Sequence, residues 1–263
     1  MKKLFFGLAG ISLVILCCNS NPKNSPGNTT EDQKAASNFS GNWISRNYID
    51  SVYKYGSPKK AKEPPLEIVV SFAADSLCLF NFNGVNKVSL ITDLTDTSFR
   101  IQHFNEDEFT DFYLSPNKKS FWYQTNRNGN RFVFQKIDLK YAVKLIDGWK
   151  SSFELYFNEM TIAANYFLLN ASGKPGSEVA FTSYGEVKGL AGFKNYSICY
   201  GGDCLQKSGG DIIELTDGKT TDEYIWQWED GTLSFYSITN IGKSNEPPVY
   251  IKGTAIFRFI KNM

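Results

Sequence analysis

The single histidine of the chain, His103, limits the catalysis that the sequence allows. A Ser-His-Asp triad, a Cys-His pair or a histidine-containing metal site would each have to use it. Nearby acidic side chains could orient the imidazole: Glu106, Asp107, Glu108 and Asp111. These residues are explained more simply as an acidic turn, and they lack the spacing of a calcium loop. We predict no catalytic residue, no bound metal and no cofactor.

The cysteines predict one disulfide and one inert thiol. Cys199 and Cys204 flank a Gly-Gly turn, a spacing that suits a hairpin-closing disulfide in an oxidising compartment. Cys78 lies on the same predicted strand face as Phe80 and Phe82, which indicates a buried thiol. The chain has no C-x-x-C motif, so redox catalysis is not expected.

Aromatic residues near the C-terminus are candidates for binding a ligand. Tyr224, Trp226 and Trp228 alternate along one strand, so they share one face of it. Such a face is either part of a hydrophobic core or a platform on which a carbohydrate or another ligand stacks. The sequence leaves both interpretations open.

The N-terminus has the pattern of an export signal. Met1-Lys2-Lys3 precedes an apolar run whose length falls within the roughly 7–15 residues of a signal-peptide core. The run is shorter than the roughly 18 residues needed to span a bilayer. The run ends at Ile15-Leu16-Cys17-Cys18, which resembles the lipobox of bacterial lipoproteins. That resemblance implies a signal peptide over 1–17 and acylation of Cys18, with Cys17 as the alternative acylated residue. A plain secreted protein remains the other interpretation.

The segment after the lipobox predicts a flexible tether over 18–37. Asn19 to about Ser37 contains no Val, Ile, Leu or aromatic residue, so it cannot bury enough apolar surface to offset the entropy of ordering. The tether would join a lipid anchor to an exported body, and the lipoprotein resemblance implies a location at the outer membrane of a Gram-negative bacterium. The formal net charge of +1 and the lack of a basic block argue against nucleic acid as a partner.

The rest of the sequence predicts a mainly β protein. Short runs rich in Val, Ile, Phe, Tyr and Trp recur every 8–12 residues between turn-forming residues, as in sandwiches and barrels. A stretch over 139–160 has apolar residues at intervals of four, which predicts a helical linker. We therefore predict two tandem antiparallel meander barrels, over 38–138 and 161–263, joined by that linker.

The two predicted β units have similar openings. Phe39-Ser-Gly-Asn-Trp43 parallels Ile162-Ala-Ala-Asn-Tyr166, and Glu67-Ile-Val-Val-Ser-Phe72 parallels Glu178-Val-Ala-Phe181. Gly41-Asn42-Trp43 before a meander resembles the G-x-W opening of lipocalin-like barrels. That resemblance implies that Trp43 packs across the closed end of a barrel whose cavity can hold a small apolar ligand. An ordinary core position for Trp43 is the alternative.

These observations favour binding over catalysis. The expected function is a membrane-anchored envelope lipoprotein whose non-enzymatic body binds a small apolar ligand or a partner protein. One alternative is a structural or interaction lipoprotein whose barrels are filled with side chains. Another is a hydrolase that uses a pair of carboxylates, since such pairs converge only in space. A cavity open to solvent would support the first function, and packed interiors would support the second.

Overall fold

The computed structural model describes residues 30–71, 76–81, 84–89, 91–104, 107–125, 129–137, 152–206, 209–242 and 249–262. The chain is mainly β, as predicted, and every strand pair in these ranges is antiparallel. The predicted signal peptide, Cys18 and residues 18–29 of the tether lie outside the described residues.

The first sheet is strongly curled. Its nine strands have the spatial order β4-β3-β2-β1-β9-β8-β7-β6-β5. Edge strand β4 lies against β6, which is next to the opposite edge. The strands are β1 (Gly41–Ser45), β2 (Leu66–Ser71), β3 (Ser76–Asn81), β4 (Gly84–Ser89), β5 (Ile91–Thr92), β6 (Ser98–Phe104), β7 (Asp107–Leu114), β8 (Ser120–Gln124) and β9 (Arg131–Lys136).

The second sheet is curled so that its two edge strands lie next to each other. Its eight strands have the spatial order β12-β11-β10-β17-β16-β15-β14-β13. Glu186 and Asn195 form an isolated bridge between the two edges, beside which the Val187 N–H donates to the Lys194 carbonyl at 2.7 Å. The strands are β10 (Ala164–Leu169), β11 (Pro175–Phe181), β12 (Val187–Lys188), β13 (Asn195–Ile198), β14 (Asp211–Thr216), β15 (Thr221–Glu229), β16 (Thr232–Asn240) and β17 (Tyr250–Lys261). Closure of both sheets into separate barrels stays a prediction.

The two sheets share one topology. In each, the first strand pairs with the second on one side and with the last on the other, and the remaining strands meander between them. Trp43 on β1 lies opposite Ile68, and Tyr166 on β10 lies opposite Val179. Each of these partners directly follows a glutamate in the sequence. The parallel between the two openings is therefore a correspondence in strand register as well as in residue type.

A hydrogen bond repeats at the same place in both units. The Trp43 indole Nε1–H donates to the Phe39 carbonyl at 2.8 Å, four residues earlier. The Tyr166 hydroxyl donates to the Ile162 carbonyl at 2.6 Å, also four residues earlier. Both aromatic side chains are fully buried, so each bond satisfies a polar atom inside the core.

The described residues include four helices, α1 (Thr30–Phe39), α2 (Arg46–Tyr55), α3 (Ser152–Thr161) and α4 (Asp203–Gln206), and a 3₁₀ turn over Pro58–Lys60. Helix α1 precedes the first sheet and α3 precedes the second, whereas α2 follows β1 and α4 follows β13. Helix α1 buries Ala35 and Phe39, so the flexible tether predicted up to residue 37 is shorter at its C-terminal end. Helix α3 begins within the predicted helical linker and ends one residue beyond it, and residues 139–151 of that linker lie outside the described residues.

Helix α2 joins the first unit to the second. Its apolar face of Tyr48, Ile49 and Val52 belongs to the same core cluster as the interior of the second sheet. The Tyr48 hydroxyl donates to the Tyr200 carbonyl at 2.7 Å. After the helix, the Lys59 backbone N–H donates to the buried carboxylate of Asp211 at 2.8 Å. These contacts cross the predicted boundary between the two barrels.

Both sheets enclose packed side chains. The first core consists largely of aromatic rings, and the Phe99 and Phe112 rings within it stack with centroids 4.7 Å apart. Each such side chain contributes about 1.5–3 kcal/mol by leaving water. Its buried members are Phe39, Trp43, Leu66, Ile68, Val70, Phe99, Ile101, Phe104, Phe112, Leu114, Phe121, Tyr123 and Phe134.

Candidate functional site

A groove on the outer face of the first sheet brings aromatic and charged side chains together. We call it the outer-face groove, and its volume is about 520 Å³. It crosses strands β6, β7 and β8 and ends at the turn before β9. The side chains that form it are Arg100, Phe109, Asp111, Tyr113, Trp122 and Gln124.

The strand period places these side chains outside. On β7, Thr110, Phe112 and Leu114 are buried, and Phe109, Asp111 and Tyr113 alternate with them and point to the opposite face. The exposed fractions of Phe109 and Tyr113 are 43% and 38%. Because the backbone is held on both sides by neighbouring strands, the outward side chains have fixed positions before any ligand arrives.

Three side chains form a stack across strands β7, β8 and β9. The Tyr113 and Trp122 rings lie directly opposite each other and stack with centroids 4.6 Å apart. The Arg131 guanidinium carbon lies 4.0 Å from the Trp122 ring centroid, a distance suited to a cation–π interaction. Within the described ranges, Arg131 makes no ion pair with a carboxylate.

An arginine–carboxylate pair forms the other side of the groove. Arg100 Nε lies 2.6 Å from Asp111 Oδ1, and its Nη2 lies 3.1 Å from Oδ2, so the pair is bidentate. Hydrogen bonding from Arg100 lowers the pKa of Asp111, and the same contact raises the pKa of Arg100. Both groups therefore stay charged near neutral pH. A carboxylate held in this state is a poor general acid, so the pair suits binding better than proton transfer.

A second surface depression lies along α2. Its volume is about 550 Å³, and its walls are mainly long charged side chains such as Arg46, Lys54 and Lys62. Arg46 pairs with Asp50 at 3.3 Å, one turn along the same helix, in an exposed position. Exposed charged side chains lose conformational entropy when a ligand fixes them. The outer-face groove is the better candidate because cross-strand stacking already orders its side chains.

The predicted ligand-binding aromatics lie in the cores. Trp43 is completely buried, and its indole N–H bonds to Phe39. Trp226 is 2% exposed, while Tyr224 and Trp228 pack against the larger core cluster. The Trp228 indole N–H donates to the Thr161 carbonyl at 3.2 Å. This packing does not support ligand binding by these four residues, and it agrees with the alternative that they are core aromatics.

The other predicted site residues have the following positions. Cys199 and Cys204 form a disulfide with their Cα atoms 6.0 Å apart, and it packs against Ile212 and Ile225 on the outer face of the second sheet. Cys78 lies in β3. His103 is exposed and has a positive φ of 55°, outside the groove. Within the described ranges, no group of three or more His, Cys, Asp or Glu could hold a metal ion.

The outer-face groove was missed from the sequence. Asp111 entered only as a possible partner of His103, and Arg100, Tyr113 and Trp122 were not considered. A usable signal was present: Phe109, Tyr113 and Trp122 occupy the strand positions between buried residues, where a solvent-facing sheet normally carries polar side chains. Aromatic residues at such positions indicate a binding surface more strongly than aromatic residues within a core.

Comparisons with known proteins identify no family for this chain. A scan against models of protein families finds no match, and no curated protein matches the chain significantly. In the part of the chain that the structure describes, no helix is both long enough and apolar enough to cross a membrane.

Proposed function

We propose that this protein is a lipid-anchored envelope protein whose folded body is a non-enzymatic binding module, and that it binds through the outer-face groove. The observation that carries the proposal is the combination of a filled first core with ordered, partly exposed aromatic side chains on the outside of the same sheet. Tyr, Trp and Arg are the residues that most often dominate binding energy at protein surfaces.

The packed interiors favour surface binding over storage of a small apolar ligand. A ligand-binding barrel needs an internal cavity of about 300 Å³ or more with access to solvent. Here Phe112, Phe121 and Phe134 fill the centre of the first sheet with ring contacts of 5.2 Å and 5.8 Å. Phe235 and Phe259 make a similar contact of 5.1 Å inside the second. Binding at the surface is therefore preferred to storage of a ligand in an internal cavity.

The positions of the buried acids do not favour a hydrolase. Glu67 and Asp211 are buried, and each accepts a hydrogen bond from a backbone N–H. Neither lines the outer-face groove. A pair of carboxylates that acts on a glycoside must instead face a cleft that the substrate can enter.

The anchor and the location are proposed from the lipobox resemblance alone. Replacement of Cys18 by serine in the full chain should abolish incorporation of labelled fatty acid and release the protein from the membrane fraction. Replacement of Cys17 serves as the matched control and should leave labelling intact. Unchanged labelling in Cys18→Ser, with loss of labelling in Cys17→Ser, would assign the anchor to Cys17. Absence of labelling in the wild type as well as in the variants would refute the lipid anchor.

Site-specific photo-crosslinking in growing cells tests the groove. A photoreactive amino acid at position 124, inside the groove, should capture a discrete envelope component. The same probe at position 53, on the exposed side of α2, is the control and should not. The additional substitution Trp122→Ala should reduce the capture at position 124. Equal capture at both positions, or capture unaffected by Trp122→Ala, would refute binding through this groove.

A further inference from the structure

The outer-face groove has the chemistry of a carbohydrate site. A sugar ring has an apolar C–H face and a rim of hydroxyl groups, so it needs aromatic surface beside closely spaced donors and acceptors. The groove offers both, since the exposed ring of Phe109 lies beside the Arg100–Asp111 pair, with the Arg100 guanidinium 5.6 Å from that ring. Its volume of about 520 Å³ suits a short oligosaccharide better than a monosaccharide.

The polar groups of the groove retain hydrogen-bonding capacity. Asp111 Oδ2 accepts from Arg100 and, at 3.4 Å, from the Tyr113 hydroxyl, whereas Oδ1 accepts one bond, from Arg100, and keeps a lone pair for a hydroxyl donor. The Gln124 side-chain amide is exposed and makes no hydrogen bond within the described residues. An amide supplies a donor and an acceptor together, which matches two neighbouring hydroxyl groups on a sugar.

Arg131, which lies next to the groove, is the group suited to an acidic sugar. Asp111 and Asp93, at 2.6 Å and 3.4 Å from Arg100, together carry one negative charge more than Arg100 compensates. Among the described residues Arg131 has no ion-pair partner, and it lies directly opposite Gln124 on the neighbouring strand. Its guanidinium lies over the Trp122 ring and can form a bidentate bond to a carboxylate.

We propose that the outer-face groove binds a carboxylate-bearing oligosaccharide, with the sugar rings on Phe109, Tyr113 and Trp122, the hydroxyl groups on Asp111 and Gln124, and the carboxylate on Arg131. This inference rests on the proposed function and names the ligand class of the same site. A protein partner is disfavoured, because a groove of a few side chains is much smaller than the roughly 800 Å² that a stable interface buries on each partner.

Calorimetric titration of the full processed chain with uronic acid trisaccharides tests the proposal. The probes are trigalacturonate and triglucuronate, each compared with its fully methyl-esterified form, which keeps the rings and removes the charge. We expect at least one acid to bind, and its ester to bind roughly tenfold more weakly because the charge-assisted bond to Arg131 is lost. Binding of neither acid, or equal binding of acid and ester, would overturn the proposal.

Three variants make the test specific to the groove. Arg131→Gln should weaken binding of the acid to the level of the ester and leave ester binding unchanged. Trp122→Ala should weaken both probes by more than tenfold, and its thermal unfolding would show whether the sheet is intact. Tyr53→Ala, at an aromatic residue 84% exposed on α2, should change neither. If Arg131→Gln binds acid and ester as the wild type does, the assignment of the carboxylate is wrong.

The failure of this inference is distinguishable from failure of the proposed function. Capture of a protein by the probe at position 124, with no uronate binding in vitro, would refute the acidic sugar and leave the binding module standing. Absence of any groove-dependent capture would refute both.

Discussion

Glu67 accepts a hydrogen bond from the backbone N–H of Phe153 at 3.1 Å, across 86 positions of sequence. This bond joins strand β2 of the first sheet to the N-terminus of α3, where unpaired N–H groups favour a carboxylate. The other carboxylate oxygen of Glu67 accepts a hydrogen bond from the Asn42 side-chain amide at 2.9 Å. A buried acid therefore connects the first sheet to the helix that leads into the second.

The first prediction concerns the pH dependence of stability at Glu67. Burial raises the pKa of this carboxyl, and the hydrogen bonds from Asn42 and Phe153 oppose the shift. Since the folded state then binds the proton more tightly than the unfolded state, the contribution of Glu67 to stability decreases as pH rises from the ordinary pKa towards the raised one. Glu67→Gln should make the free energy of unfolding less dependent on pH in that interval, as measured by urea denaturation between about pH 4 and 8.

Glu178 provides the matched control for this prediction. It occupies the equivalent register position on β11, opposite Phe167, and it is exposed. Glu178→Gln should leave the pH profile close to that of the wild type. A profile unchanged in Glu67→Gln would show that the buried carboxyl does not produce the dependence.

The second prediction concerns the contact between α2 and the second unit. Tyr48→Phe removes the hydroxyl that donates to the Tyr200 carbonyl, and it leaves the buried ring in place. The expected loss is about 0.5–1.5 kcal/mol in the free energy of unfolding, with more if the carbonyl stays without a donor. Chemical denaturation measures it, and Tyr53→Phe on the exposed side of the helix should change nothing. A neutral Tyr48→Phe would mean that water replaces the hydroxyl.

The third prediction compares two buried tryptophans. The Trp43 indole N–H has a partner in the Phe39 carbonyl, whereas the Trp226 indole N–H has no partner among the residues that the structure describes. Replacement of either residue by phenylalanine removes similar volume, so the cavity costs are comparable. Trp43→Phe should therefore cost about 1 kcal/mol more than Trp226→Phe, because only the first breaks a buried hydrogen bond. Equal losses would indicate that Trp226 also has a partner in solution.

The fourth prediction concerns the Cys199–Cys204 disulfide. The two cysteines are 5 positions apart, and a loop of this size contributes roughly 2 kcal/mol by restricting the unfolded chain. A Cys199→Ser, Cys204→Ser double variant should lose up to that amount and should exchange amide hydrogens faster around Ile212 and Ile225, which pack on the disulfide. Chemical reduction should reproduce this loss of stability in the wild type, and the same treatment should have no effect on the double variant. Faster exchange throughout the first sheet would contradict this local role.

Local patterns identify the strands well and the helices poorly. The runs of alternating residues predict strands over 97–104, 119–125 and 232–239, within one residue of β6, β8 and β16 at either end, because the strand period exposes one face and buries the other. Helix α1 was missed since its sequence is polar, and of its described side chains Ala35 and Phe39 are buried. Helix α2 was missed although Ser45 and Gly56 are good caps, because its short apolar face is not periodic for long enough.

The outer-face groove illustrates why the site was harder to predict than the fold. Tyr113, Trp122 and Arg131 lie on three strands, and only the register of β7, β8 and β9 shows that they stack. A shift of one residue in any of these pairings would turn the rings towards the opposite face. Trp43 is fully buried, as both the lipocalin-like interpretation and the core interpretation predict, so its burial does not decide between them.

The sequence by itself determined the mainly β class, the positions of the strands, the similarity of the two units and the export signal as an expectation, because each depends on residues close together in the chain. Only the tertiary structure decided that the first core is filled, that α2 belongs to the core of the second unit, and that aromatic and charged side chains meet on the outside of the first sheet. These features depend on contacts between distant residues, and strand register and burial appear only when the sheets are assembled.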